Sequence, residues 1–323
     1  MPESLPKPLV VVSKCLEFAA CRYNGAMIPS DVVRSLKPYV EFVPICAEVE
    51  IGLGIPRDPI RIVRSDAGLT LVQPATGRDV TSAMKAFVRS FLETMGDVDG
   101  FVLKFRSPSC GLKDVKVFPD PAAKTTVDKT AGFLGGAVLE RFPLLAVEDE
   151  GRLTNFRIRE HFLTRIFTLA AFRSVAGSGL MRDLVAFQAR NKLLLMAYSQ
   201  KELRHLGRLV ANLEKRPAPE VFAEYREHLR AALAAQPRYT SCINVLMHAL
   251  GYFSDRLSGR EKAHFLDSLE DYREARVPLS VPVGIIKSLI VRFEQDYLAQ
   301  QSFFEPYPAG LVAITDSGKG RDL

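Results

Sequence analysis

The rhythm of hydrophobic and polar positions changes near residue 150. Before it, short apolar runs end sharply in polar residues: Leu9–Ser13 (LVVVS), Val40–Cys46 (VEFVPIC) and Gly100–Phe105 (GFVLKF). β-Branched runs of this length predict strands. Arg61–Arg64 and Leu69–Gln73 flank Asp66-Ala67-Gly68 and predict a small hairpin. Helix patterns lie between the strands. Ser30–Leu36 opens on an N-cap serine. Asp79–Met95 sets Val80, Ala83, Met84, Phe87, Val88, Phe91 and Leu92 at helical spacing, and Thr130–Arg141 predicts another helix. Strands alternating with helices predict an α/β domain with a mainly parallel, Rossmann-like sheet covered on both faces.

From Phe156 to about Leu298 the strand signal disappears. Met181–Tyr198, Gln200–Glu214, Pro219–Gln236, Ser241–Leu257, Ser258–Ala275 and Pro282–Leu298 all carry amphipathic helical periods, separated by short Pro, Gly or Ser breaks. An all-α domain therefore follows the α/β domain. The acidic stretch Val147–Gly151 (VEDEG) is the predicted boundary, giving domains over 1–150 and 151–305. Residues 306–323 have Pro, Gly and charge without a period and predict a loose tail.

The 323 residues are 47% hydrophobic and 25% charged, which excludes disorder and gives ample apolar surface for a core. Five cysteines are too sparse for a disulfide scaffold. The longest apolar runs, 9–13 and 281–291, fall short of the roughly 20 residues that span a bilayer, which argues against a membrane protein. Residues 1–8 carry Pro and charge where a signal peptide needs an apolar stretch. The expected compartment is cytoplasmic, where thiols stay reduced and free for metal binding or catalysis. Charge is uneven: the balance is −1 over residues 1–150 and +7 over the remainder. A basic helical half is compatible with nucleic acid, and equally with solvated helix faces.

The cysteines are Cys15, Cys21, Cys46, Cys110 and Cys242, and no two form a CxxC pair. Cys15 follows the first predicted strand, Cys46 closes the second, and Cys110 lies in the loop after the third. Open parallel sheets bind ligands outside the carboxyl ends of their strands, so these three can meet. A zinc site would want a fourth protein ligand. An iron–sulfur cluster on three thiolates would leave one iron open for substrate. Ser107-Pro108-Ser109-Cys110-Gly111 is a short polar loop suited to wrapping a ligand. Glu48, two residues after Cys46, is a candidate general base, or else a helix cap or an arginine partner. Cys21 reads as a structural thiol farther out than the other three, and Cys242 as helical core. Gly52-Leu53-Gly54 lacks the third glycine of a dinucleotide fingerprint and meets Pro56, so Arg57 is expected to neutralise an anion or pair with a carboxylate. The five histidines all lie beyond residue 160, without His/Glu metal-ligand spacing.

Ser13-Lys14-Cys15-Leu16, Cys21-Arg22-Tyr23-Asn24-Gly25, Pro44-Ile45-Cys46-Ala47-Glu48, Gly54-Ile55-Pro56-Arg57 and Ser107-Pro108-Ser109-Cys110-Gly111 resemble the thiouracil desulfidase family in order and spacing, over about residues 8–145. Arg190-Asn191-Lys192-Leu193-Leu194-Leu195-Met196-Ala197 and Tyr297-Leu298-Ala299-Gln300-Gln301 resemble the YbgA-like helical domain often fused to it. The resemblance implies a [4Fe–4S] cluster held by Cys15, Cys46 and Cys110, with Glu48 and a serine of the Ser107/Ser109 pair as catalytic residues. It implies non-redox removal of sulfur from a thiolated nucleobase such as 2-thiouracil. The chain departs from the family at Ala47, often a proline, and at Leu16–Ala20, where a glycine-rich loop is usual. Two other readings fit the same residues. One is a sulfur-insertion enzyme using the same open iron. The other is a nucleic-acid or protein interaction module with a structural metal.

Overall fold

The computed structural model describes residues 5–66 and 68–312. The chain divides into two compact units. One runs to Ala170 and takes in the chain from Gly310; the other is Ala171–Ala309.

In the first unit, β1 (Leu9–Ser13) leads to α1 (Asp31–Leu36), capped by the Ser30 hydroxyl, which accepts the Val33 N–H. β2 (Glu41–Ile45) runs into the single turn α2 (Ala47–Glu50). Next come β3 (Arg61–Ser65), β4 (Gly68–Gln73), β5 (Arg78–Asp79) and α3 (Thr81–Thr94). β6 (Gly100–Leu103), β7 (Val115–Phe118), β8 (Asp128–Thr130), α4 (Phe133–Arg141) and β9 (Ala146–Asp149) complete the mixed part. The parallel sheet predicted from the sequence is present, in the order β2-β1-β6-β9. Val10, Val11 and Val12 of β1 are fully buried, as expected of a strand paired on both edges and covered on both faces. Pro44 is tolerated in β2 because that strand is an edge. The chain adds β2 on one side of β1 and β6 on the other. The switch point of the sheet therefore lies at β1, between the loops that follow it and β6.

The predicted hairpin is there as β3 and β4, its turn residue Ala67 lying outside the described residues. It is part of something larger. β3 also pairs in parallel with β7, making a second, five-stranded sheet, β5-β4-β3-β7-β8. That sheet is assembled from two excursions, one between α2 and α3 and one between β6 and α4. Each leaves the main sheet close to a site loop.

The acidic stretch expected to be a boundary is β9, the fourth strand of the parallel sheet. Its carboxylates are held rather than solvated. Glu148 accepts from Arg152 Nε at 2.7 Å, and Asp149 accepts the Arg152 N–H at 2.7 Å. The neighbouring Glu150 takes the Phe105 N–H at 2.8 Å and pairs with Lys104.

α5 (Phe156–Ser178) is followed by α6 (Met181–Arg190), α7 (Lys192–Tyr198), α8 (Gln200–Ala211), α9 (Ala218–Ala232), α10 (Tyr239–Gly251), α11 (Gly259–Arg273), α12 (Ser280–Arg292) and α13 (Asp296–Ala299). The region is helical as expected, but the period over Met181–Tyr198 is two helices broken at Asn191. The break is fixed by hydrogen bonds from the far end of the domain. Gln301 accepts the Leu193 N–H at 3.1 Å and donates to the Ala189 carbonyl at 2.9 Å, and Ser302 donates to Asn191 at 2.7 Å. The two sequence motifs of this region therefore hold each other. Cys242, Phe253, Phe265 and Ile286 sit in the apolar core of this second unit. Of the predicted tail, Tyr307 and Leu311 are buried, and residues 313–323 lie outside the described residues. Among the described residues, no helix is long and apolar enough to cross a membrane.

Candidate active site

Three loops leave the carboxyl ends of β1, β2 and β6 and surround a cleft of about 350 Å³. β1 supplies Ser13, Lys14 and Cys15; β2 supplies Cys46 and, through α2, Glu48; β6 supplies Lys104 and the loop to Cys110. Cys15, Cys46 and Cys110 all line this cleft. Cys21, expected farther out, lines it too. The segment after Cys15 folds back on itself: Leu16 bridges to Ile28, and Ile28 N–H donates to the Cys15 carbonyl at 2.8 Å. That brings Cys21 beside Cys46, whose Sγ lies 3.9 Å from the Cys21 carbonyl oxygen. Cys242 is in the helical core, as expected.

The cleft thiols are all free. Burial, followed by the proximity of Cys110, Cys21 and Cys46, raises the Cys15 thiol well above its ordinary range. Burial and the neighbouring Cys46 push Cys21 up to about 12. Burial pushes Cys110 to about 11, against hydrogen bonds with Ser13 and Ser109 that pull it down. Soft sulfur donors gathered in a cleft where burial opposes the ionisation of Cys15, Cys21 and Cys110 form the donor set that a thiophilic metal centre takes. The cleft sulfurs are not drawn into one tight knot: the only such trio within 4.8 Å among the described residues is elsewhere. Thiolates about 2.3 Å from one tetrahedral zinc would lie about 3.8 Å apart. No three of the cleft sulfurs all stand that close to one another.

Glu48 is held at both oxygens. Oε2 accepts from Arg57 Nε at 2.9 Å and Nη2 at 2.6 Å. Oε1 accepts from the Ser109 hydroxyl at 2.8 Å. Arg57, its side chain 3% exposed, also donates to the carbonyls of Cys21 and Gly54, each at 3.0 Å. Glu48 therefore has an arginine partner and no capping role. The Ser109 proton is committed to Glu48, so Ser107, 3.0 Å away, donates to Ser109. Ser107 Oγ in turn accepts the N–H groups of Ser109 at 3.3 Å and Cys110 at 3.2 Å. The result is a hydrogen-bond chain, Ser107–Ser109–Glu48–Arg57, along the cleft wall. Ser109 is 1% exposed and Ser107 half-buried, which makes Ser107 the end of the chain facing the cleft.

The Ser107–Gly111 loop is clamped from behind by the start of α4. Phe133 N–H donates to the Pro108 carbonyl at 3.1 Å and Leu134 N–H to the Ser109 carbonyl at 2.8 Å. Such close approach requires glycine. A Cβ on Gly135 would collide with the Gly111 carbonyl and lie 2.6 Å from the Cys110 carbonyl oxygen. Gly135→Ala is expected to cost about 1–3 kcal/mol, because backbone must move to admit the methyl. Thermal unfolding measures it, and an unchanged melting temperature would contradict the clamp.

The sequence profile described as 2-thiouracil desulfurase matches residues 10–150, and the one described as protein of unknown function, DUF1722, matches residues 192–308. Uncharacterized protein YbgA of Escherichia coli (strain K12) is 30% identical over 164 residues, covering 50% of this chain and 96% of its own length. Uncharacterized protein YbbK of Bacillus subtilis (strain 168) is 31% identical over 110 residues, 32% of this chain and 73% of its own length. A solved structure of a [4Fe–4S]-dependent thiouracil desulfidase, TudS, is 26% identical and covers 46% of this chain and 93% of that one, at a TM-score of 0.36.

Proposed function

Since the chain belongs to the 2-thiouracil desulfurase family over residues 10–150 and to the DUF1722 family over residues 192–308, we propose that it hydrolytically desulfurates a thiolated nucleobase of the 2-thiouracil class. The observation that carries the reading is one cleft in which cysteines from three strand ends face a glutamate linked through serines to its wall. Cys15, Cys46 and Cys110 would hold a [4Fe–4S] cluster. When bound, it supplies a thiophilic Lewis acid that polarises the thiocarbonyl.

The remaining work falls to the chain. The overall change replaces C=S by C=O: water gives its oxygen to the carbon, sulfur leaves as sulfide, and no electrons are exchanged. Water attacking that carbon must lose a proton. Ser107 accepts it at Oγ as its own proton passes to Ser109, and the Ser109 proton passes to Glu48 Oε1, along hydrogen bonds already formed. Arg57 keeps Glu48 aimed while occupying only Oε2, which leaves Oε1 for the proton. The walls of the cleft displace bulk water from around the carboxylate.

The test is anaerobic incubation of cluster-loaded protein with 2-thiouracil. Sulfide and uracil should appear in equal amounts without any electron donor or acceptor. Cluster-loaded protein that forms no uracil, or consumes a reductant in doing so, would refute the reading.

A further inference from the structure

We propose that His205, Glu224 and His228, on the helical unit, bind a divalent first-row transition-metal ion of the zinc type, with Glu202 orienting His228. One ligand atom from each of the three residues lies within 4.8 Å of the other two. Glu202 and His205 are on α8, and Glu224 and His228 are on α9. The contacts pair 205 with 224 and 202 with 228, the register of two helices running in opposite directions.

His205 Nε2 lies 3.3 Å from Glu224 Oε1. Two ligands about 2.0–2.1 Å from a tetrahedral zinc are separated by about 3.3 Å, so this pair already stands at the length of a coordination edge. The second histidine is close. The two imidazole rings have centroids 3.7 Å apart at 32°.

The surrounding groups have the form of a metal site's supports. His228 Nδ1 lies 2.7 Å from Glu202 Oε2, whose side chain is 12% exposed. Donation from Nδ1–H to that carboxylate leaves the lone pair on Nε2, the carboxylate–histidine arrangement found behind metal ligands. Glu224 Oε2 accepts from Arg216 at 2.6 Å, which leaves Oε1 for a cation. Arg208 Nη2 is 3.4 Å from His205 Nδ1, a long contact from an exposed side chain. A metal ion replaces the proton shared between His205 and Glu224, and Arg208 turns into solvent. Three half-exposed protein ligands leave a coordination position for water, and the ion ties α8 to α9.

The experiment is equilibrium dialysis of the full chain against Zn²⁺, with metal counted per chain, beside His228→Gln and His205→Gln. Zinc held by the cleft cysteines is common to all three and cancels in the difference. The native chain is expected to hold one Zn²⁺ more than either variant, or to bind that ion at least 100-fold more tightly. Glu202→Gln, which removes only the orienting carboxylate, is expected to weaken it by about 10–100-fold. Circular dichroism establishes that each variant is folded. Should a histidine variant fail to fold, Glu202→Gln and Co²⁺ absorption of the native chain decide: the difference site must show nitrogen and oxygen ligation without thiolate charge-transfer bands. Equal zinc in native and folded histidine variants overturns the proposal, as does full affinity in Glu202→Gln.

Discussion

Cys46→Ala and Cys110→Ala are each expected to lose iron and turnover together, while Cys242→Ser loses neither. The cleft presents Cys15, Cys46 and Cys110 from three different strand ends. In the proposed cluster site, removing one would leave two thiolates on a centre that already keeps an open position for substrate. Cys110 is clamped by Gly132 and Gly135 at the start of α4 and cannot be replaced by a neighbour sliding along its loop. Cys46 is different, because Cys21 lies beside it. Iron per chain in Cys46→Ala, and again in Cys46→Ala/Cys21→Ala, shows whether Cys21 substitutes for it. Cys242 is 1% exposed in an apolar core, so a serine hydroxyl there costs about 1–3 kcal/mol of stability and nothing in iron. Iron and sulfide analysis of anaerobically reconstituted protein reads all of these. A full, stable cluster in Cys110→Ala would remove that residue from the ligand set.

Glu48→Gln is expected to keep the cluster and lose about 10²–10⁴-fold in turnover, the usual contribution of a positioned general base. An amide preserves the shape but cannot take the proton that Ser109 delivers. It also removes the charge opposite Arg57, whose side chain is 3% exposed. Breaking a buried ion pair costs up to about 3–5 kcal/mol, and less here because the amide oxygen still accepts from the guanidinium. Rate and stability therefore both fall and must be read separately, as turnover per intact cluster and as melting temperature. If Glu48 only anchors Arg57, the melting temperature drops while turnover per cluster holds.

The convergence of three cysteines was legible because it follows from topology. Apolar runs ending at Ser13, Ile45 and Leu103 mark parallel strands, and the carboxyl ends of such strands lie together whatever the connecting loops do. Ser30 as a cap and the α3 stripe were legible because both depend on residues within one turn of each other. The second sheet was legible only as a hairpin. Its remaining strands, Arg78–Asp79, Val115–Phe118 and Asp128–Thr130, are short and carry charge, and they become strands by pairing with β4, with β3 and with each other. The acidic run 147–150 resembles a linker until Arg152 and Lys104 are placed beside it.

By itself, the sequence determined the two-part architecture and the cysteines at the strand ends, and it pointed to Glu48 and the Ser107/Ser109 loop as the candidates beside them. Those features rest on local periodicity and on the direction of parallel strands. Only the tertiary structure decided that Cys21 joins the cleft, that Arg57 holds Glu48, and that Ser109 links Glu48 to Ser107. It alone aligned α8 with α9 so that His205 meets Glu224 and Glu202 meets His228. Such pairings depend on how a loop folds back or on the register between two helices. Close packing sets that register, and neighbours in the chain carry no record of it.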